Sequence, residues 1–292
     1  MNTSAVMPLK CFQRDRLSVE IYETGAEVAI AASTQAEAIL QKAIDKQGSA
    51  AAVFATGRSQ IQCLQHLTRQ GSSVDWKNVT GFHLDEYLGI AADHPASFHQ
   101  YLKTHLTSKV ALKRFYSIAG DSPLPVEFCD DYTRQLRAQP LDLGFLGIGE
   151  NGHLAFNDPG VANFDDARWV KLVRLDPKNR QQQLNSTAFD TIESVPQYAF
   201  TLTLSAICSL RHSLCLAMGE GKAKIVKTML SGLTTPDCPA SILRKNVGAT
   251  LLLDLAAASL LPVEQFQVEQ FQVEQFSTED GTAPGHESCA GF

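Results

Sequence analysis

Residues 147–160 read GIGENGHLAFNDPG and follow the apolar run LDLGFL, so a buried strand ends in a glycine-rich loop carrying a histidine and acids. Histidine is the side chain suited to passing a proton near neutral pH, which makes His153 a candidate acid/base group. Asp158, further along the same loop, can hold the second ring nitrogen and so set the tautomer. Gly147, Gly149 and Gly152 let backbone N–H groups come close to an oxygen-rich ligand. The plainer alternative is a satisfied core histidine with a turn aspartate before Pro159. The crowding of glycines around one His and one Asp favours chemistry.

A second acidic site lies in GFHLDEYLG. Asp85 and Glu86 are adjacent, and neighbouring side chains of an extended chain point to opposite faces, so at most one enters a pocket. An aspartate among Phe82, His83, Leu84 and Tyr87 is partly desolvated and usable as a base near neutral pH. A turn cap or a surface ion pair would use the same residues. Two further segments suit an anion. In ATGRSQ, Thr56, Gly57, Arg58 and Ser59 stand where a strand turns into a helix, so N–H groups, hydroxyls and a helix N-terminus converge. An ordinary helix cap has the same composition, and the P-loop pattern is incomplete. In GEGKAK, Lys222 sits in the first turn of a helix, where a cation opposes the helix dipole and a bound phosphate would offset it. Arg180, in LDPKNRQQQ, is either a second clamp on that anion or a surface residue.

The elements that must position these residues alternate in type. LSVEIY (17–22) reads as a strand, the Ala-rich stretch after it as an amphipathic helix closed by Gly48, and AAAVFAT (50–56) as a buried strand. RSQIQCLQHLTRQG reads as a helix, NVTGFHLDEYLG (78–89) as a strand and its loop, and PASFHQYLKTHL (95–106) as a helix. LDLGFLGIG (141–149), RWVKLVRL (168–175), AFTLTLSAI (199–207) and SLCLAMG (213–219) read as strands, then comes the helix EGKAKIVKTMLSG, and TLLLDLAAASL (250–260) closes the core. The alternation predicts a single α/β domain over residues 10–261, with a doubly wound, mostly parallel, Rossmann-like sheet and helices on both faces. Ligands bind such sheets at the carboxyl ends of the strands, where most of the candidates fall. After Pro262 the unit VEQFQ recurs, a period of five that fits neither helix nor strand. Residues 262–292 therefore read as a repeat-containing, disordered tail, with a subunit-contact segment as the alternative.

Composition narrows the partners. A chain of 292 residues, 44 % hydrophobic and 19 % charged, is an ordinary globular protein with an ample core. A formal charge of −6 gives no electrostatic reason to expect nucleic acid or an anionic membrane, so an anionic ligand needs a local site. The N-terminus lacks a signal-peptide apolar region, and no apolar run reaches the roughly twenty residues of a spanning helix, which predicts a cytoplasmic protein. The seven cysteines are scattered without a C-x-x-C pair and read as reduced thiols.

Taken together, FHLDEYLG with the downstream HPASFHQYL, and LGIGENGHLAFNDPG, with ATGRS and GKAK in order, resemble the glucosamine-6-phosphate deaminase family. The resemblance spans residues 10–260 and excludes the tail. It implies conversion of an amino-sugar phosphate to a ketose phosphate and ammonia, in amino-sugar catabolism, without a metal or organic cofactor. Under it Asp85 is the base that moves the C2 proton to C1, His153 opens the pyranose ring, and Asp158 orients it. Thr56, Gly57, Arg58, Ser59 and Lys222 match the phosphate cradle. Some members have Asp where this chain has Asn151 and Glu where it has Asp158, so the charge beside His153 is reduced and the orienting carboxylate is shorter. A lactonase of the same fold would need His153 but has no evident use for Asp85. A sugar-phosphate sensor is the other alternative, although the first strand starts too early for a preceding DNA-binding module. A homo-oligomer is compatible with all three.

Overall fold

A computed structural model describes residues 6–177, 180, 181, 184 and 189–262. The VEQFQ repeats lie outside the described residues. Thr24 starts the long helix α1 (Gly25–Gln47) by accepting the Glu27 N–H, and Gly48 ends it in the left-handed region at φ 77°, as the sequence predicts.

An eight-stranded sheet forms the centre. In spatial order it runs β1 (Lys10–Arg14), β2 (Leu17–Tyr22), β11 (Ala249–Asp254), β10 (His212–Ala217), β7 (Leu143–Gly147), β3 (Ala50–Phe54), β4 (Val79–His83), β6 (Arg114–Tyr116). Only the edge strand β1 is antiparallel to its neighbour. Both faces are buried, which is why the central strands are continuously apolar. Along β3, Ala51 and Val53 face one core while Ala50, Ala52 and Phe54 face the other. Helices α1 and α2 (Arg58–Leu67) cover the second face. Helix α4 (Pro125–Arg137) covers the first, through Cys129, Tyr132 and Leu136, together with α6 (Ala223–Ser231). Among the described residues no helix is long and apolar enough to cross a membrane.

Three expected strands belong elsewhere. The segment 78–89 divides: β4 ends at His83, and β5 (Asp85–Tyr87) leaves the main sheet to pair with β9 (Tyr198–Leu202). The segment 168–175 contributes β8 (Val170–Arg174), which pairs antiparallel with β9, giving a separate sheet in the order β5-β9-β8. The run 199–207 is strand only to Leu202; Thr203 then caps the short helix α5 (Leu204–Cys208) by accepting the Ala206 N–H. The expected helix at 95–106 is α3 (Phe98–Leu102) continuing into a wider turn over Lys103–Thr107.

From β3 the chain winds outward through β4 and β6, then returns to the other side of β3 with β7 and continues to β10 and β11. The crevice between the ends of β3 and β7 is thus the topological switch point, the place where a doubly wound sheet leaves room for a ligand.

Candidate active site

A cleft of about 1230 Å³ opens at that switch point, lined by the loops after β3, β4, β7 and β10. Thr56, Gly57, Arg58, Ser59, Asp85, Gly147, Gly149, His153 and Lys222 all reach it. These residues are far apart in sequence, and the parallel sheet brings them together by placing each just beyond the end of a strand.

The loop after β3 enters α2 through Gly57, at φ 109° and ψ 167°, a conformation open to glycine and strained for other residues. The Gly57 carbonyl accepts from the Gln60 N–H at 3.0 Å and from the Tyr101 hydroxyl at 2.8 Å. Fully buried Gln60 ties the loop to β7 by donating to the Leu146 carbonyl at 3.0 Å. The first turn of α2, with the Thr56 and Ser59 hydroxyls and Arg58, therefore forms a braced cradle suited to an anion. Lys222 closes the other side from a 3-10 turn (Glu220–Lys222). Burial lowers its pKa, opposed by Glu150 at the cleft wall. The preceding Gly219 N–H is already used, donating to both carboxylate oxygens of Asp254 at 3.0 and 2.9 Å, so this turn offers a side-chain cation rather than that backbone donor.

Asp85 and Glu86 separate as adjacent extended residues must. Asp85 reaches the cleft although it is only 6 % exposed. Burial pushes its carboxyl well above the ordinary range, and the neighbouring Glu86 adds to the rise. Glu86 turns the other way, into the start of α3. His83 is a core histidine: complete burial pushes its pKa down to about 3, and its Nδ1 accepts from the Ile118 N–H at 3.4 Å.

His153 is held from one side by two residues. Its Nδ1 lies 2.7 Å from Oδ1 of Asn151 and 2.9 Å from Oδ1 of buried Asp158. The Asn151 amide in turn donates to Asp158 Oδ1 at 2.9 Å. Both neighbours present oxygen to Nδ1, which places the proton of a neutral ring on that nitrogen and leaves Nε2 without it. Asn151 and Asp158 do not line the cleft themselves; both contact the ring that does. Gly149, in the cleft lining, also makes room for the histidine, because a Cβ there would overlap the imidazole. Asn157, fully buried, fixes the remainder of the loop by donating to the carbonyls of Leu154 at 3.0 Å and Leu202 at 2.8 Å. That brace accompanies Ala155 at φ 52°, a conformation rare for a residue with a side chain.

Arg180 is not brought to the cleft. Its guanidinium donates to the carbonyls of Ile192 and Val195, so the expected second clamp is spent on holding its own segment, and Gln181 beside it lines the cleft instead. Phe98 and Tyr101, which wall the cleft from α3, and Gln60, which braces the loop after β3, are not marked out by the sequence. The signal for the first two lay in HPASFHQYL, which reads as a helix without showing which face meets the cleft.

Fold and site define a doubly wound α/β protein whose switch-point cleft brings Asp85 and His153 together with the Thr56–Ser59 loop and Lys222. Residues 23–252 match the family described as glucosamine-6-phosphate isomerases/6-phosphogluconolactonase, and the chain belongs to that family. It is similar to glucosamine-6-phosphate deaminases of Lactobacillus delbrueckii subsp. bulgaricus, 36 % identical over 78 % of this chain and 94 % of the relative. It is equally similar to that of Listeria innocua, 36 % identical over 80 % of this chain and 97 % of the relative. The solved structure of a monomeric glucosamine-6-phosphate deaminase superimposes with a TM-score of 0.77 at 30 % identity, covering 83 % of this chain and 99 % of the other. A 6-phosphogluconolactonase from Thermotoga maritima shares the fold, with a TM-score of 0.66 at 20 % identity over 82 % of this chain and 99 % of the other.

Proposed function

We propose that this chain converts glucosamine 6-phosphate and water to fructose 6-phosphate and ammonia, as a cytoplasmic enzyme of amino-sugar catabolism whose working unit is residues 10–261. The observation that carries the reading is the presence of Asp85 and His153 in one cleft with the cradle of Thr56–Ser59 and Lys222. Similarity to deaminases over most of the chain supports it.

The chemistry follows from these positions. In the closed sugar the C2 proton is not acidic, because the aldehyde is masked. Nε2 of His153 takes the proton of the anomeric hydroxyl and returns one to the ring oxygen, which breaks the C1–O5 bond and frees the carbonyl. The ionised carboxylate of Asp85 then removes the C2 proton while the ammonium group yields a proton to the C1 oxygen, and the carboxyl returns its proton to C1, leaving a hydroxyl at C1 and a protonated imine at C2. A carboxylate of raised proton affinity is better matched to a carbon acid than an ordinary one. The resulting C2 imine adds water and expels ammonia, leaving the ketone of the product. Phosphate held by the cradle, remote from C1 and C2, supplies binding energy that fixes these carbons against the two groups.

The test is direct: purified protein is given glucosamine 6-phosphate, and ammonia and fructose 6-phosphate are measured together. Equal release of both is expected. Absence of both from folded protein that binds inorganic phosphate overturns the reading, and an Asp85→Asn variant with full activity on 6-phosphogluconolactone would favour a lactonase.

A further inference from the structure

Glu86 has no place in the chemistry above, yet it is almost completely buried, at 1 % exposure. A buried carboxylate is costly unless its oxygens are satisfied, and here both are. Oε1 accepts from the N–H groups of Tyr87 at 2.9 Å and Phe98 at 3.1 Å. Oε2 accepts from the Ser97 hydroxyl at 2.9 Å and the His99 N–H at 2.7 Å. Two of these donors, Phe98 and His99, are the first N–H groups of α3, so Glu86 fastens that helix to the strand residue next to Asp85. From the same helix Tyr101 reaches across to donate its hydroxyl to the Gly57 carbonyl at 2.8 Å. In a trans peptide the N–H of the next residue points opposite to the carbonyl, so fixing the Gly57 oxygen toward Tyr101 fixes the direction of the Arg58 N–H in the cradle.

We infer that Glu86 is a positioning residue that couples the base to the phosphate cradle, through α3 and the Tyr101 hydroxyl. The inference rests on the proposed function in taking the cradle as the phosphate site. Its consequence is that removing charge at position 86, on the face away from the cleft, weakens phosphate binding at Gly57 and Arg58. A helix anchor without this linkage would change stability and leave phosphate affinity alone.

The experiment measures the Kd of inorganic phosphate by calorimetry on the full chain, for wild type, Glu86→Gln, Tyr101→Phe and the double variant. A lost hydrogen bond in such a chain is expected to weaken binding by about threefold to tenfold in each single variant. The double variant should be no weaker than Tyr101→Phe alone, to within about twofold, because both changes cut one linkage. If Glu86→Gln fails to fold, Ser97→Ala replaces it in the same cycle, removing a single donor to the carboxylate. Unchanged phosphate affinity in the folded variants, or two effects that simply multiply, overturns the coupling. These outcomes are read from phosphate binding and are separate from ammonia release, so a wild-type protein that binds phosphate without turnover would overturn the proposed function and still decide the coupling.

Discussion

The side-chain amide of Asn151 donates to Oδ1 of Asp158 at 2.9 Å, and its own oxygen faces Nδ1 of His153 at 2.7 Å. A neutral amide therefore does two things at once: it orients the carboxylate and accepts from the ring. The shorter carboxylate of Asp158 still reaches Nδ1, at 2.9 Å. Asn151→Asp would add negative charge beside the imidazole and favour its protonated form. The pH–rate profile of ammonia release should then move to higher pH. Asn151→Leu, of similar size, removes both contacts and should lower kcat by about tenfold with little change in KM. Both are read from pH-dependent kinetics of ammonia release, and a profile that does not move for Asn151→Asp would show that the amide is not coupled to the ring.

Asp85 sits where activity and stability oppose each other. Its folded-state pKa is raised by burial and by Glu86, so between the ordinary carboxylate value and the raised one the folded protein holds a proton that the unfolded chain has released. Stability contributed by this group is accordingly lost as pH rises through that window, and above it the ionised, buried carboxylate is a standing cost. Asp85→Asn removes that cost while removing the proposed base. Its kcat should fall by about 10²–10⁴-fold, and its Tm at neutral pH should rise by about 2 °C or more. Below the ordinary carboxylate range the two proteins should melt alike. Thermal melts at several pH values check the sign, and a neutral-pH Tm lower than wild type would contradict it.

Gly149 offers a test of geometry alone. A methyl group there would overlap the His153 ring, while the cradle after β3 is built from other residues. Gly149→Ala should reduce kcat by about 10²-fold by displacing the ring, with the Kd of inorganic phosphate unchanged. Equal losses in both would mean that the loop after β7 also shapes the phosphate site.

Much of this was legible in the sequence because of burial. AAAVF is apolar throughout since β3 is covered on both faces, and the glycines and polar residues that follow β3, β7 and β10 fall at one edge of a parallel sheet by necessity. What periodicity does not carry is which sheet a strand joins: RWVKLVRL and AFTLTL look like any half-buried strands, and the antiparallel pairing of the second with both the first and Asp85–Tyr87 appears only in three dimensions. Helix α4 has a weak signature because its buried stripe, Cys129, Tyr132 and Leu136, is thin and set among charged residues. The roles of Arg180 and Glu86 depended on partners that spacing does not reveal. Arg180 is tied to carbonyls of Ile192 and Val195, and Glu86 to a helix that begins beyond an intervening loop.

Lys222 tests whether the cleft is a phosphate site at all. Burial lowers its pKa, so an empty site bears the cost of a partly desolvated ammonium, and a phosphate dianion offsets that cost on binding. The interaction with a phosphate group that does not react is the same in ground and transition states, so its loss should appear in KM. Lys222→Met, which keeps much of the side chain's length without charge, should raise KM for the sugar phosphate by about 10–100-fold while kcat changes by less than about threefold. A non-phosphorylated amino sugar, if turned over at high concentration, should be indifferent to the change. Should kcat fall instead with KM preserved, Lys222 would have to act on the reacting carbons, and the division of the cleft into cradle and chemistry would need to be redrawn.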